Sequence, residues 1–337
     1  MGRIRWIDAV KGVAILLVML AHLSEQVHPV LTWLVLGYVP IFFVMSGLTY
    51  HSTDNEKESI RKRAKQLWIP YLCYGLSILV ITALLSKNVS FFHGFLGLLY
   101  GRYCLFPLGS EMQFELLKAC YYIAPLWFLP CMWLAYLLMM LQDHLHNKWI
   151  LPLFALLLSM LSQYKPILLP YSLDTCFAAY LFMECGRQLS KIKNLPIHWA
   201  ISLLMLILCS VVYYIIGSIN GSTNMSVGLF GQIAPWSICC FLLLGITESI
   251  SFSILFRWLE SSFLCRIFSY LGRKALRLMC IHLLVGSLFY KVLCHTSMPE
   301  CFCLAFAIAG VVGVCAFIDI LIDRVSRFGG RGLISNL

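Results

Sequence analysis

Long apolar runs separated by short polar gaps fill almost the whole chain. They lie at about 7–27, 30–50, 67–86, 121–141, 150–163, 172–189, 198–217, 227–246, 275–294 and 301–322. About 20 apolar residues is what one helix needs to cross a bilayer core. The pattern therefore predicts an all-α fold, a polytopic integral membrane protein with a bundle of about ten transmembrane helices. The fifth run is short and the eighth is interrupted by Pro235, features that go with tilt or a kink. The longest polar gaps, 51–66 and the tail from 324, are too short for a folded domain, which takes roughly 50 residues or more. The expectation is one transmembrane domain over 1–337 with no appended soluble domain, so that any chemistry happens inside the bundle or at its rims.

Two stretches do not read as spans. Residues 91–118 mix aromatic, glycine and acidic positions, including Glu111 and Glu115, and are too long for a plain turn; a lid or re-entrant segment is expected. Residues 249–271 carry Arg257, Trp258 and Arg266 and read as an interfacial amphipathic helix. The basic start and first apolar run resemble a signal peptide, but a second run follows at once and no small-residue cleavage site separates them. A retained first helix is expected. The chain shows no internal repeat.

Composition agrees with the pattern. Hydrophobic residues make up 61% of the chain and charged residues 12%, about half the charge of a soluble domain. This excludes an ordinary soluble enzyme, and disorder as well. The net charge is +10, which in a soluble protein would raise the question of nucleic acid. Here it reads as topology, because basic loops stay in the cytoplasm. With the N-terminus inside, twenty of the 25 Lys and Arg residues fall on inner segments, and only Lys87, Arg102, Lys118, Lys165 and Lys291 fall outside. The expectation is a multi-pass protein of the cell inner membrane with both termini cytoplasmic, attracted to lipid headgroups. The 15 cysteines form no CxxC and sit mostly in apolar runs, so they read as small packing residues. No metal and no nucleic-acid partner is expected.

Ionisable residues within spans are candidates for function. The first run holds Lys11 and His22. Eleven positions at ~100° each make three turns plus about 20°, so both share one helix face, roughly 16 Å apart along the axis. Read plainly, Lys11 snorkels to the inner headgroups and His22 is a packing histidine. Read chemically, imidazole is the side chain that takes and gives protons near neutral pH, with Glu25 one turn on to orient it. In the second run, Pro40-Ile-Phe-Phe-Val-Met-Ser-Gly47 places two aromatics before a small pair, which lets a backbone or an extended ligand approach; ordinary small-residue packing explains it equally well. The segment Ile60-Arg-Lys-Arg-Ala-Lys-Gln66 is either a topological anchor or a phosphate-capturing rim.

Taken in order, Asp8-Ala-Val-Lys-Gly12, Lys11-x10-His22, Phe42-Phe-x-x-Ser-Gly47, the basic run into Ile69-Pro-Tyr71, and Pro125-Leu-Trp-Phe-Leu129 resemble the acyltransferase-3 family, which includes sugar and polysaccharide O-acetyltransferases. Asp174 with Glu184-Cys-Gly186, and Ser269-Tyr-Leu-Gly272 ahead of Ile281-His282, continue the likeness. The resemblance implies transfer of an acyl group, most often acetyl from acetyl-CoA, to a hydroxyl of a glycan or lipid-linked sugar. It puts the catalytic pair on His22 and Lys11. Donor contacts fall on Arg61, Lys62, Arg63 and Lys65 with Phe42, Phe43, Ser46 and Gly47, and acceptor contacts on Glu25, Trp127, Asp174 and His282. Gln66 stands where the family's second arginine is expected; Lys62 and Lys65 match its charge but not its bidentate fork. His22 would act as general base or as transient acyl carrier. Trp127 and Trp133 would stack on a sugar. The rivals are a transporter or flippase, and a His/Asn-type membrane acyltransferase, for which His282 is the other deep histidine.

Overall fold

The computed structural model describes residues 4–24, 38–86, 90–105, 120–165, 167–191, 197–220, 223–231, 236–296 and 298–328. Among them there is no strand, only an isolated antiparallel bridge between Asn224 and Leu229. The helices, in chain order, are α1 (Arg5–Ser24), α2 (Tyr38–Leu48), α3 (Glu56–Leu85), α4 (Phe91–Tyr100), α5 (Phe128–His144, entered through a 3-10 turn, Tyr121–Trp127), α6 (Ile150–Leu161), α7 (Cys176–Ser190), α8 (Trp199–Asn220), α9 (Ser237–Trp258), α10 (Phe263–Arg273), α11 (Ala275–Cys294) and α12 (Glu300–Phe328). Seven helical segments among the described residues are long and apolar enough to cross a membrane, and three shorter apolar helices accompany them. Each of the ten apolar runs holds a helix, and the protein is an all-α multi-pass membrane protein.

Three expected boundaries are corrected. The basic stretch before residue 67 is not a loop: α3 begins at Glu56. The Asn55 side chain accepts from the Glu58 backbone N–H at 3.3 Å, and Glu56 and Glu58 occupy the first turn, where the helix dipole favours anions. Lys, Arg, Glu and Gln are good helix formers, so charge density alone did not mark a loop. The eighth run starts its helix about ten residues late. Asn224 accepts from the backbone and hydroxyl of Ser226, at 3.0 and 2.6 Å, and Gly228 takes φ +65. This closes a turn where a helix was expected; Pro235 lies outside the described residues. The stretch 249–271 is two elements. Its first part completes α9, and α10 follows after a turn capped by Ser262, whose hydroxyl accepts from Cys265 N–H at 3.1 Å. Of residues 91–118, the first ten form α4 and 106–119 lie outside the described residues.

The chain forms two compact units. The first comprises 1–52, 134–165 and 173–275. In it α1 lies chiefly against α10, and α2 against α7. Both crossings depend on glycine pairs. A Cβ on Gly12 would meet the Phe268 carbonyl, and one on Gly272 the Asp8 carbonyl; likewise Gly47 lies on the Met183 backbone and Gly186 on that of Val44. Only hydrogen at these positions lets the helices approach backbone to backbone.

The second unit comprises 53–133, 166–172 and 276–337. Helix α3 has 30 residues, about 45 Å, against roughly 30 Å of hydrocarbon. Its basic first turns therefore extend past the apolar layer. The buried Tyr71 hydroxyl donates to the Leu98 carbonyl at 2.5 Å and ties α3 to α4. Arg102 Nε and Tyr100 OH donate to the carbonyls of Leu169 and Leu168 at 3.1 and 2.9 Å. An Arg277–Asp319 ion pair joins α11 to α12.

Candidate functional site

Helix α1 is unbroken from Arg5 to Ser24, so the shared face of Lys11 and His22 follows from helical geometry. Both side chains are half-buried, between the buried residues Ala14, Ile15, Val18 and Met19. His22 Nδ1 lies 3.0 Å from the Val18 carbonyl. A carbonyl only accepts, so Nδ1 is the nitrogen that carries hydrogen, and the neutral ring keeps its lone pair on Nε2. Glu25 lies outside the described residues.

Helix α2 buries Phe42, Phe43 and Gly47 and leaves Ser46 half-buried. The glycine crossings show that the sequence motifs work in pairs. Phe42-Phe-x-x-Ser-Gly47 packs on Glu184-Cys-Gly186, and Asp8-Ala-Val-Lys-Gly12 packs on Ser269-Tyr-Leu-Gly272.

At one end of α7 a charged cluster joins three elements. Arg187 Nη1 meets Asp143 of α5 at 2.5 Å, and Nη2 meets Glu184 at 2.5 Å. Tyr50, just past α2, donates to the other Asp143 oxygen at 2.6 Å. Gln188 donates to Glu184 at 2.5 Å. Lys148 caps the carbonyls of Gln142 and Asp143 at 3.1 Å each. At the other end of α7, buried Asp174 forms an ion pair with Lys165, and Thr175 donates to its Oδ1 at 3.2 Å.

In the second unit Arg61, Lys62, Arg63 and Lys65 are all exposed on the first turns of α3. At ~100° per residue Arg61 and Lys65 share a side, while Arg63 points about 160° away from Lys65. Trp127 is half-buried, and its carbonyl accepts from the Ser172 hydroxyl at 3.3 Å. His282 is fully buried on α11, with Nδ1 2.9 Å from the Met279 carbonyl. Trp68 is the hub of an aromatic cluster, its ring meeting Tyr71, Trp133 and Tyr171 edge-on at 5.5, 5.7 and 5.3 Å. Among the described residues no group of three or more His, Cys, Asp or Glu could hold a metal ion.

A family profile described as an acyltransferase domain matches residues 4–321. The chain belongs to the acyltransferase-3 family. No curated protein and no solved structure matches it. It is an acyltransferase carried by a multi-pass helical bundle.

Three features of this acyltransferase escaped the sequence reading. The Asp143–Arg187–Glu184 cluster lies at helix ends, where single charges look like ordinary topology markers. Trp68 carried no assignment in the sequence. Glu248 is buried within α9, two residues past the end of the expected run at 246. It lies within electrostatic reach of Tyr213 and Cys209 of α8. Moving the eighth boundary to Trp258 was the signal that would have exposed it.

Proposed function

We propose that the acyltransferase moves an acetyl group from acetyl-CoA to a hydroxyl of a cell-envelope glycan or lipid-linked sugar, with His22 as general base. The observation that carries this reading is the Val18 carbonyl on Nδ1, which leaves the lone pair on Nε2. The acceptor oxygen attacks the thioester carbonyl while its proton passes to Nε2. The C–S bond then breaks, and the CoA thiolate recovers the proton from the imidazolium. Val18 continues to accept from Nδ1–H in both states, so the ring keeps its orientation through the cycle. Lys11 lies three turns away on the same face, too far for the reacting atoms, and holds a donor phosphate. Phe42, Phe43 and Ser46 of α2 shape the donor's path, and Gly47 sets the helix spacing. Trp127, Asp174, Glu25 and His282 are assigned to the acceptor side. Mass spectrometry of envelope glycans from cells with and without the protein tests the whole reading. One acetyl group fewer per acceptor is the expected change; identical glycans would overturn it.

The basic turns of α3 suit the CoA phosphates. Neutralising Arg61 and Lys65 together, Arg61→Gln with Lys65→Gln, removes one side of that helix. Each charge-assisted contact is worth about 1.5–3 kcal/mol, so affinity for acetyl-CoA should fall on the order of 10²-fold, and by less as salt rises. Calorimetric titration of the purified protein measures it. Unchanged affinity would return these residues to topology alone.

The charge asymmetry supports an inner-membrane location with both termini cytoplasmic. A reporter fused after Leu337 should read cytoplasmic; a readout on the opposite side would remove the orientation on which donor access rests.

A further inference from the structure

The first unit holds a cleft that the acyl-transfer reading does not use. It has a volume of about 710 Å³ and is lined by Ile4, Arg5, Arg257, Trp258, Glu260 and Ser261. It lies where α1 begins and α9 turns into α10, at one end of two membrane-length helices. Arg257 is held in place: its guanidinium sits 4.5 Å over the ring of Trp6, which is itself buried. Such a cation–π contact holds the guanidinium in place, and its N–H groups suit an oxyanion. Arg5 and Glu260 both lie near the first turn of α10. Burial raises the Cys265 thiol pKa there; the Glu260 carboxylate adds to the rise and Arg5 opposes it.

The cleft thus presents two guanidinium groups and one carboxylate. That set matches a phosphate joined to an ammonium group. A polyphosphate would meet the Glu260 carboxylate at a cost, whereas a headgroup with one phosphate and one amine satisfies all three. The surroundings are those of a bilayer surface. Trp258 is 58% exposed, and α10 exposes Phe263, Leu264, Ile267 and Tyr270 along one side. Its opposite side, Cys265, Ser269 and Gly272, is buried on α1. A short helix with one buried face and one exposed apolar face lies in the interface, where acyl chains would run beside it.

We propose that this cleft binds the headgroup of an amine-bearing membrane phospholipid, with the phosphate on Arg5 and Arg257 and the ammonium on Glu260. The bound lipid pins the first turn of the helix that carries Lys11 and His22.

Native mass spectrometry of the full-length protein, titrated with phosphatidylethanolamine, phosphatidylcholine or phosphatidylglycerol, tests this. The wild type should retain phosphatidylethanolamine at least tenfold better than the other two. Arg5→Gln with Arg257→Gln should lose retention of all three lipids. Glu260→Gln, a change at an exposed turn that leaves the fold intact, should keep phosphate binding but lose the preference for ethanolamine over choline. Retention by the double variant equal to wild type would overturn the site. Preference for phosphatidylglycerol, or an unaltered lipid preference in the Glu260 variant, would overturn the amine assignment. Displacement of the lipid by acetyl-CoA or inorganic phosphate at micromolar concentration would overturn the lipid in favour of a free phosphate.

Discussion

Acetyl transfer by His22→Ala should fall by about 10²–10⁴-fold, the typical contribution of a positioned general base, while the protein still inserts and folds. Alanine is the best helix former, and His22 is only half-buried, so α1 tolerates the truncation. The substitution removes the Nε2 lone pair that the Val18 carbonyl sets. Labelled acetyl transfer measured beside size-exclusion behaviour separates chemistry from folding. His282→Ala is the comparison. Its ring is fully buried on α11 and is assigned to the acceptor side, so that variant should lose stability and acceptor affinity rather than the chemical step. Wild-type turnover in the His22 variant together with a dead His282 variant would move the base to α11.

The second large effect is on folding. Gly47→Leu places a side chain where the Met183 backbone already stands. Overpacking usually costs about 1–3 kcal/mol. Here the obstacle is main chain, which no rotamer change relieves, so α2 and α7 must separate. Against a total stability of roughly 5–15 kcal/mol, the expected result is a large drop in the thermal midpoint or in the folded yield. Gly313→Ala is the control, since nothing lies within 4 Å of a Cβ there; it should be neutral or slightly stabilising. Equal melting of Gly47→Leu and wild type would show that the crossing is looser than the structure has it. A folded Gly47→Ala protein that has lost donor affinity would put the glycine at the ligand instead.

The sequence by itself determined the class and where the apolar helices lie, though not the helix count: α4 and α10 fall outside the ten runs. A run of about 20 apolar residues has no stable alternative to a helix in hydrocarbon, where each unpaired backbone group is costly. Each of the ten runs accordingly holds a helix. It also determined the shared face of Lys11 and His22, because a helix without a break fixes angle and rise from spacing alone. The ordered motifs sufficed to point to the family.

The tertiary structure decided what those motifs touch. Nothing in the spacing of Gly12, Gly47, Gly186 and Gly272 says which glycine opposes which, because pairing depends on contacts far apart in sequence. It decided the extent of α3, where charge reads as loop but the residue types favour helix. It placed Asp143, Tyr50 and Arg187 in one cluster, and Glu248 in a buried position, because hydropathy windows average over single polar residues. It also set the histidine tautomer. Sequence supplies the imidazole, but only the 3.0 Å approach of Nδ1 to the Val18 carbonyl points to the nitrogen that keeps the lone pair.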